Sequence, residues 1–244
     1  MMDKKIIKDN FSRAAKDYDL HSKMHQDIIA ELLFRLPKIS LTTILEVGCG
    51  TGLLTKRLIE SFPEAKIIAT DIAQGMVEFA KKTLAPSPPN IEFIEAEGEG
   101  LPFEDNTFDL VISSSALQWM DCRKALAEFK RVLKPGGTLA FSTYGPKTLI
   151  ELKELGFSVN DFPTIEALEK ELPKNTKLEA EIHKIEFKNP LDLLKYLKAI
   201  GASYSQNKKK DLEGKKKMER LKEAYPNGIE ATFEAVFGII NPKP

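Results

Sequence analysis

Three glycines at alternate positions constrain this chain more than any other feature. An apolar run, Ile44-Leu-Glu-Val47, leads into Gly48, Gly50 and Gly52, and a helical pattern follows from Leu53 to Ser61. Lacking a Cβ, glycines let the chain turn sharply and let a ligand approach the backbone. Strand, glycine turn and helix together describe the first crossover of a parallel α/β sheet, where ligands bind outside the carboxyl ends of the strands. A dinucleotide fingerprint needs G-x-G-x-x-G. Here Leu53 stands where the third glycine belongs, and Glu46 would repel a pyrophosphate. The turn therefore suits a ligand with a cationic amino-acid end or hydroxyls.

The rest of the chain agrees with this architecture. Strands are predicted at Thr43–Val47, Lys66–Thr70, Ile91–Ile94, Phe108–Ser113 and Thr138–Thr143, with helices near Leu53–Ser61, Met76–Leu84 and Lys124–Leu133 between them. Such alternation implies a parallel sheet with right-handed crossovers. Residues 1–40 read as a helical arm closed by Pro37. Beyond Gly145 the alternation ends. A helix at Thr164–Leu172, a strand at Leu178–Phe187, a helix at Pro190–Ile200 and a strand at Glu230–Ile240 are predicted there. At 244 residues, this is one α/β domain with additions. The two cysteines, Cys49 and Cys122, build neither a disulfide framework nor a zinc site, and with only three histidines no metal is expected. A charged N-terminus without an apolar core and the lack of a long apolar run predict a cytoplasmic chain.

Acids follow the strand ends. Asp71, after the second strand, is placed to accept both hydroxyls of a ribose; the alternative is a cap for the helix near Gln74. Glu95-Ala-Glu97-Gly98-Glu99 follows the third strand, where a carboxylate and a backbone N–H could hold an exocyclic amine and a ring nitrogen. Alternatively these glutamates form an exposed acidic loop.

Taken in order, Glu46–Gly52, Asp71, Glu97, Leu101–Asp109 and Arg131–Gly137 resemble the class I S-adenosylmethionine-dependent methyltransferases. The resemblance covers residues 40–145. It implies a Rossmann-like, seven-stranded, mostly parallel sheet with helices on both faces and a last, antiparallel strand inserted beside the parallel ones. It further implies that Gly48, Gly50 and Gly52 line the methionine and ribose part of S-adenosyl-L-methionine. Glu46 would lie near the amino-acid end, Asp71 at the ribose diol, and Glu97 and Gly98 beside adenine. Ile72, Ser113 and Gln26 are implied as further cofactor contacts, and S-adenosyl-L-homocysteine as the product. Where Glu97 stands, the family usually has Asp.

Flanking pieces are similar to a narrower family, the biotin-pathway malonyl-[acyl-carrier protein] O-methyltransferases: Phe11–Tyr18 with Gln26, Ser113–Trp119, Phe141–Gly145 with Thr148–Leu152, Leu197–Ala202, and Ala231–Gly238. This implies a helical arm at residues 1–40, a methyltransferase domain at 41–244, and a lid-like helical insertion at about 189–226 between the last two strands. The implied reaction is esterification of a malonyl free carboxylate, which is ionised at neutral pH and needs no general base. Tyr18 would order the site from the arm, or simply pack against the next helix. Gln118 and Trp119 would position the acceptor; Trp119 serves equally as a core residue. For a cation facing the acceptor carboxylate the candidates are Arg123 and Arg131, the latter reading more as a helix-surface residue. A methyltransferase acting on another small carboxylate or quinone precursor shares the motifs up to Gly137.

Net charge is zero, which disfavours a nucleic-acid coat protein. The charges are unevenly distributed. Residues 91–121 hold eight acids and no Lys or Arg, whereas residues 190–222 hold ten Lys or Arg and four acids. The basic segment, with Lys208, Lys209, Lys210, Lys215, Lys216 and Lys217, is a solvated face or a docking surface for an acidic acyl carrier protein.

Overall fold

The computed structural model describes residues 3–86, 88–174, 176–202 and 214–241. In chain order it contains α1 (Lys4–Ala14), α2 (Lys23–Phe34), β1 (Thr43–Val47), α3 (Leu53–Ser61), β2 (Lys66–Asp71), α4 (Gln74–Thr83), β3 (Ile91–Glu95), β4 (Phe108–Ser114), α5 (Cys122–Val132) and β5 (Leu133–Tyr144). The second half adds α6 (Ile150–Glu154), α7 (Ile165–Glu171), β6 (Lys177–Phe187), α8 (Pro190–Ala199), α9 (Gly214–Ala224) and β7 (Ile229–Ile240). Single 3-10 turns occupy Tyr18–His21 and Leu117–Trp119.

One seven-stranded sheet runs in the order β3-β2-β1-β4-β5-β7-β6. Strands β1 to β5 pair in parallel, and β7 inserts antiparallel between β5 and β6. The chain winds outward from β1 through β2 to β3, then returns to β4 on the other side of β1. The crevice at the carboxyl ends of β1 and β4 is thus the topological switch point.

Alternation along β1 sets up two cores. Ile44 joins the cluster with α2, α3 and α8, while Leu45 and Val47 join the one with α5 and α7. By the same period of two, Glu46 faces the α3 side, fully buried. The strand ends are tied by side chains. Asp109 Oδ2 accepts from the backbone N–H groups of Thr42 and Thr43, at 3.1 and 2.9 Å, and Lys134 Nζ donates to its Oδ1 at 2.8 Å. These donors hold the Asp109 carboxyl well below its ordinary pKa.

Two elements differ from the sequence reading. β5 starts at Leu133 because Lys134–Gly137 is taken up as a register shift against β4, with Gly136 at φ +79°. Helix α6 is too short to show a helical period. The Arg131 guanidinium faces no ligand cavity: it donates to Glu128, Asp105 and the carbonyls of Leu101 and Phe103, clamping the 101–105 loop to α5.

Candidate functional site

At the switch point lies a cavity walled by the glycine turn, the ends of β2 and β3, the turn after β4, and the N-terminal arm. Gly48 has φ +81°, and a Cβ there would sit 2.3 Å from Ala116 Cβ. Only glycine allows the β1 and β4 ends to approach this closely. The Gly50 N–H donates to Asp71 Oδ2 at 2.9 Å, and the Ala73 N–H to Asp71 Oδ1 at 2.8 Å. Asp71 does not cap α4, whose N-cap residue is Ala73. Its carboxylate braces the turn and faces the cavity with lone pairs to spare. Burial raises its pKa.

Glu46 is the most exceptional group in the site. One oxygen accepts from Thr55 Oγ1 at 2.6 Å; the other, Oε1, has no partner among the described residues. Burial pushes its pKa up to about 8, against which the Thr55 hydroxyl acts. A buried carboxylate with a bare oxygen in a cavity is an unfilled place for a cation.

The arm forms the roof, which sequence reasoning credited to Tyr18 alone. Lys4, Ile7 and Phe11 of α1 line the cavity with Tyr18. Lys4 pairs with Glu97, and with Glu99 at 2.9 Å, while Lys8 pairs with Glu95 at 2.9 Å. The acidic loop is thus answered by the arm, across some ninety residues of chain. Thr51 of the glycine turn donates to Asp19 at 2.6 Å, and the Phe11 ring meets Trp119 edge-on at 5.2 Å. Tyr18 is half-buried; burial, with Tyr196, Asp71 and Asp19 nearby, keeps its phenol protonated. His25 also lines the cavity and was missed. Burial lowers its pKa to about 4, and its Nε2 lies 3.4 Å from Tyr144 Oη.

Ile72, Glu97 and Gly98 line the same cavity. A Cβ on Gly98 would lie 2.8 Å from Met120 Sδ. Three expected residues are not brought there. Ser113 is fully buried and donates to Val47 O at 2.8 Å, so its hydroxyl holds β4 to β1. Gln26 is exposed, its amide bonded to Ser22 Oγ, beside α3 rather than in the cavity. Arg123 is 83% exposed and sits 3.9 Å from Glu171. It points into solvent because α5 turns its apolar stripe to the sheet.

A second cavity adjoins the first, and Trp119 lines both. Gln118 faces this second cavity; its Nε2 donates to Ser115 O at 2.6 Å and its Oε1 accepts from Thr143. The turn that aims both residues rests on Ser115, which adopts φ +53° and donates its N–H to Ser142 O. Mostly apolar side chains from α6, the 157–162 segment, α8 and β7 complete the walls. Among the described residues lining the two cavities, Lys4 is the one Lys or Arg.

A Rossmann-like sheet with an antiparallel seventh strand, a glycine turn at its switch point and an acid after β2 define a class I methyltransferase; a methyltransferase-domain family model matches residues 44–137. Among solved structures, the YcgJ protein of Bacillus subtilis shares the fold at TM-score 0.63 and 17% identity, over 89% of this chain and 99% of that one. A malonyl-[acyl-carrier protein] O-methyltransferase of Hahella chejuensis is 36% identical, covering 95% of this chain and 88% of that protein. Another, of Methylococcus capsulatus, is 31% identical over 98% of this chain and 94% of that protein. The chain belongs to the malonyl-[acyl-carrier protein] O-methyltransferase family. No described helix is long and apolar enough to cross a membrane.

Proposed function

We propose that this protein transfers a methyl group from S-adenosylmethionine to the free carboxylate of a malonyl thioester on an acyl carrier protein. The observation that carries the reading is full-length likeness to enzymes of that name, joined to two adjoining cavities that share Trp119, the first of them lined by Glu46, Asp71 and Glu97.

The residues fit the cofactor. The bare Glu46 Oε1 supplies an acceptor and a charge for the amino group of its methionine end. Asp71 has lone pairs for the ribose diol, and Glu97 and Gly98 border the adenine side. When bound, the cofactor would supply to the acceptor carboxylate an electrophilic methyl group carried on a cationic sulfonium. No protein cation is then required beside that carboxylate, which agrees with the paired Lys4 being the one Lys or Arg among the described residues lining the two cavities. No base is required either, since the acceptor oxygen is already ionised. What remains for the chain is to orient and to exclude water. Tyr18 stays a neutral hydrogen-bond donor, Trp119 walls the methyl path, and α1 roofs the site. The segment between β6 and β7, through Leu194, Leu197 and Ile200 of α8 and its end, covers the acceptor side.

For the carrier protein, the exposed Lys215 and Lys216 on α9 offer a basic face. Lys217 Cε lies 3.8 Å from where a Gly156 Cβ would be, so α9 adjoins the segment walling the acceptor cavity. Lys208, Lys209 and Lys210 lie outside the described residues. Charge reversal at Lys215 and Lys216 is expected to raise the KM for malonyl-carrier, more so at low salt, and to leave a small malonyl thioester unaffected. The deciding experiment incubates the protein with labelled S-adenosylmethionine and malonyl-carrier, malonyl-coenzyme A, free malonate or a phenolic acceptor. A malonyl methyl ester supports the reading; transfer to the phenol alone refutes it.

A further inference from the structure

The second cavity holds a polar atom that methyl transfer leaves unused. Asn160, on the irregular stretch between α6 and α7, lines this cavity and is 6% exposed. Its Oδ1 has no hydrogen-bond partner among the described residues. A buried acceptor left unmet is costly, so its retention calls for a donor that arrives with a ligand. Around it stand Phe157, Phe162, Leu194 and Leu197, which offer a ligand chain apolar contact. Because Trp119 lines both cavities, a ligand reacting at the cofactor can continue past Asn160.

The chemistry of the acceptor narrows what that donor is. A malonyl thioester head presents a carboxylate and a thioester carbonyl, which are acceptors only. It cannot satisfy an amide oxygen, and its carboxylate would be repelled by one. A donor therefore comes from beyond the sulfur, where a carrier arm presents a secondary amide N–H after a short methylene spacer. We infer that the second cavity takes the thioester arm and that Asn160 Oδ1 accepts a hydrogen bond from the first amide N–H past the sulfur. This assignment rests on the proposed reaction and adds to it a residue that selects amide-bearing thioesters. A site built to bond a polar group discriminates against the analogue lacking it.

The test uses two synthetic acceptors, malonyl-N-acetylcysteamine, which carries that amide, and malonyl S-pentyl thioester, which replaces it with alkyl. For the wild-type protein, kcat/KM is expected to favour the amide-bearing acceptor about tenfold, as for one buried hydrogen bond. Asn160→Leu is expected to erase the preference, with S-adenosylhomocysteine affinity reporting an intact fold. If the leucine variant does not fold, Asn160→Ala carries the same expectation. Equal rates for the two acceptors in the wild type, or a preference that survives substitution, overturns the assignment of Asn160. Methylation of neither thioester nor of malonyl-carrier overturns the proposed reaction itself, and the assignment with it.

Discussion

If Glu46 receives the cationic end of the cofactor, binding must drive a proton off its carboxyl. In the free protein its pKa is about 8, so at pH 7 about nine in ten molecules carry the proton. A bound ammonium beside Oε1 favours the carboxylate and returns the pKa toward the ordinary range. The α-ammonium of S-adenosylhomocysteine, beside its own carboxylate, is already protonated at pH 7, so net release is about 0.9 proton. The same linkage makes affinity rise about ninefold from pH 6 to pH 7. Calorimetric titration with S-adenosylhomocysteine, which shares the amino-acid end and does not react, measures both quantities when repeated in buffers of different ionisation enthalpy. Glu46→Gln keeps an acceptor for Thr55 and removes the titrating group, so it is expected to bind weakly with no proton release. Binding without proton exchange in the wild type, or an unchanged pH profile in the variant, would refute the role of Glu46.

Other outcomes follow from the same geometry. Because the native Glu46 carboxyl binds its proton more tightly than the unfolded one, its contribution to stability is full below about pH 4.5 and is lost as pH rises toward 8. In the unliganded state, thermal unfolding should show Glu46→Gln gaining stability on the wild type between pH 6.5 and 8, on the order of 1–2 kcal/mol. Gly48→Ala puts a Cβ 2.3 Å from Ala116 at a positive φ, so a lower melting temperature and at least tenfold weaker cofactor binding are expected. Tyr18→Phe removes only a hydroxyl; a fall in kcat/KM for the acceptor with cofactor affinity kept within about twofold is expected, and no change in either denies the phenol a role.

What could be read in the sequence was what neighbouring residues decide together. The seven strands, the glycine turn and the acid after β2 are written in runs of five to twelve residues, where side-chain period and Cβ sterics act directly. Glu46 was legible for the same reason, as a charge at the end of an apolar strand. The misplaced residues share the opposite property. Ser113 and Gln26 sit within matching motifs, yet only the packed sheet and arm decide which way they point, and Ser113 spends its hydroxyl on Val47 O. Arg123 lies close in sequence to the acceptor loop but on the outer face of α5.

Lys4 and Lys8 of the arm pair with Glu95, Glu97 and Glu99 of the acidic stretch. No local pattern announces a partner some ninety residues away. The same holds for His25 against Tyr144 and for the second cavity, whose walls come from β5, α6, the 157–162 segment, α8 and β7. The sequence by itself thus determined the sheet and its glycine turn, because those follow from local backbone and side-chain periodicity. Tertiary structure alone decided the roof, the second cavity and the oxygens of Glu46 and Asn160 left bare among the described residues, because burial and the absence of a partner are properties of packed neighbours.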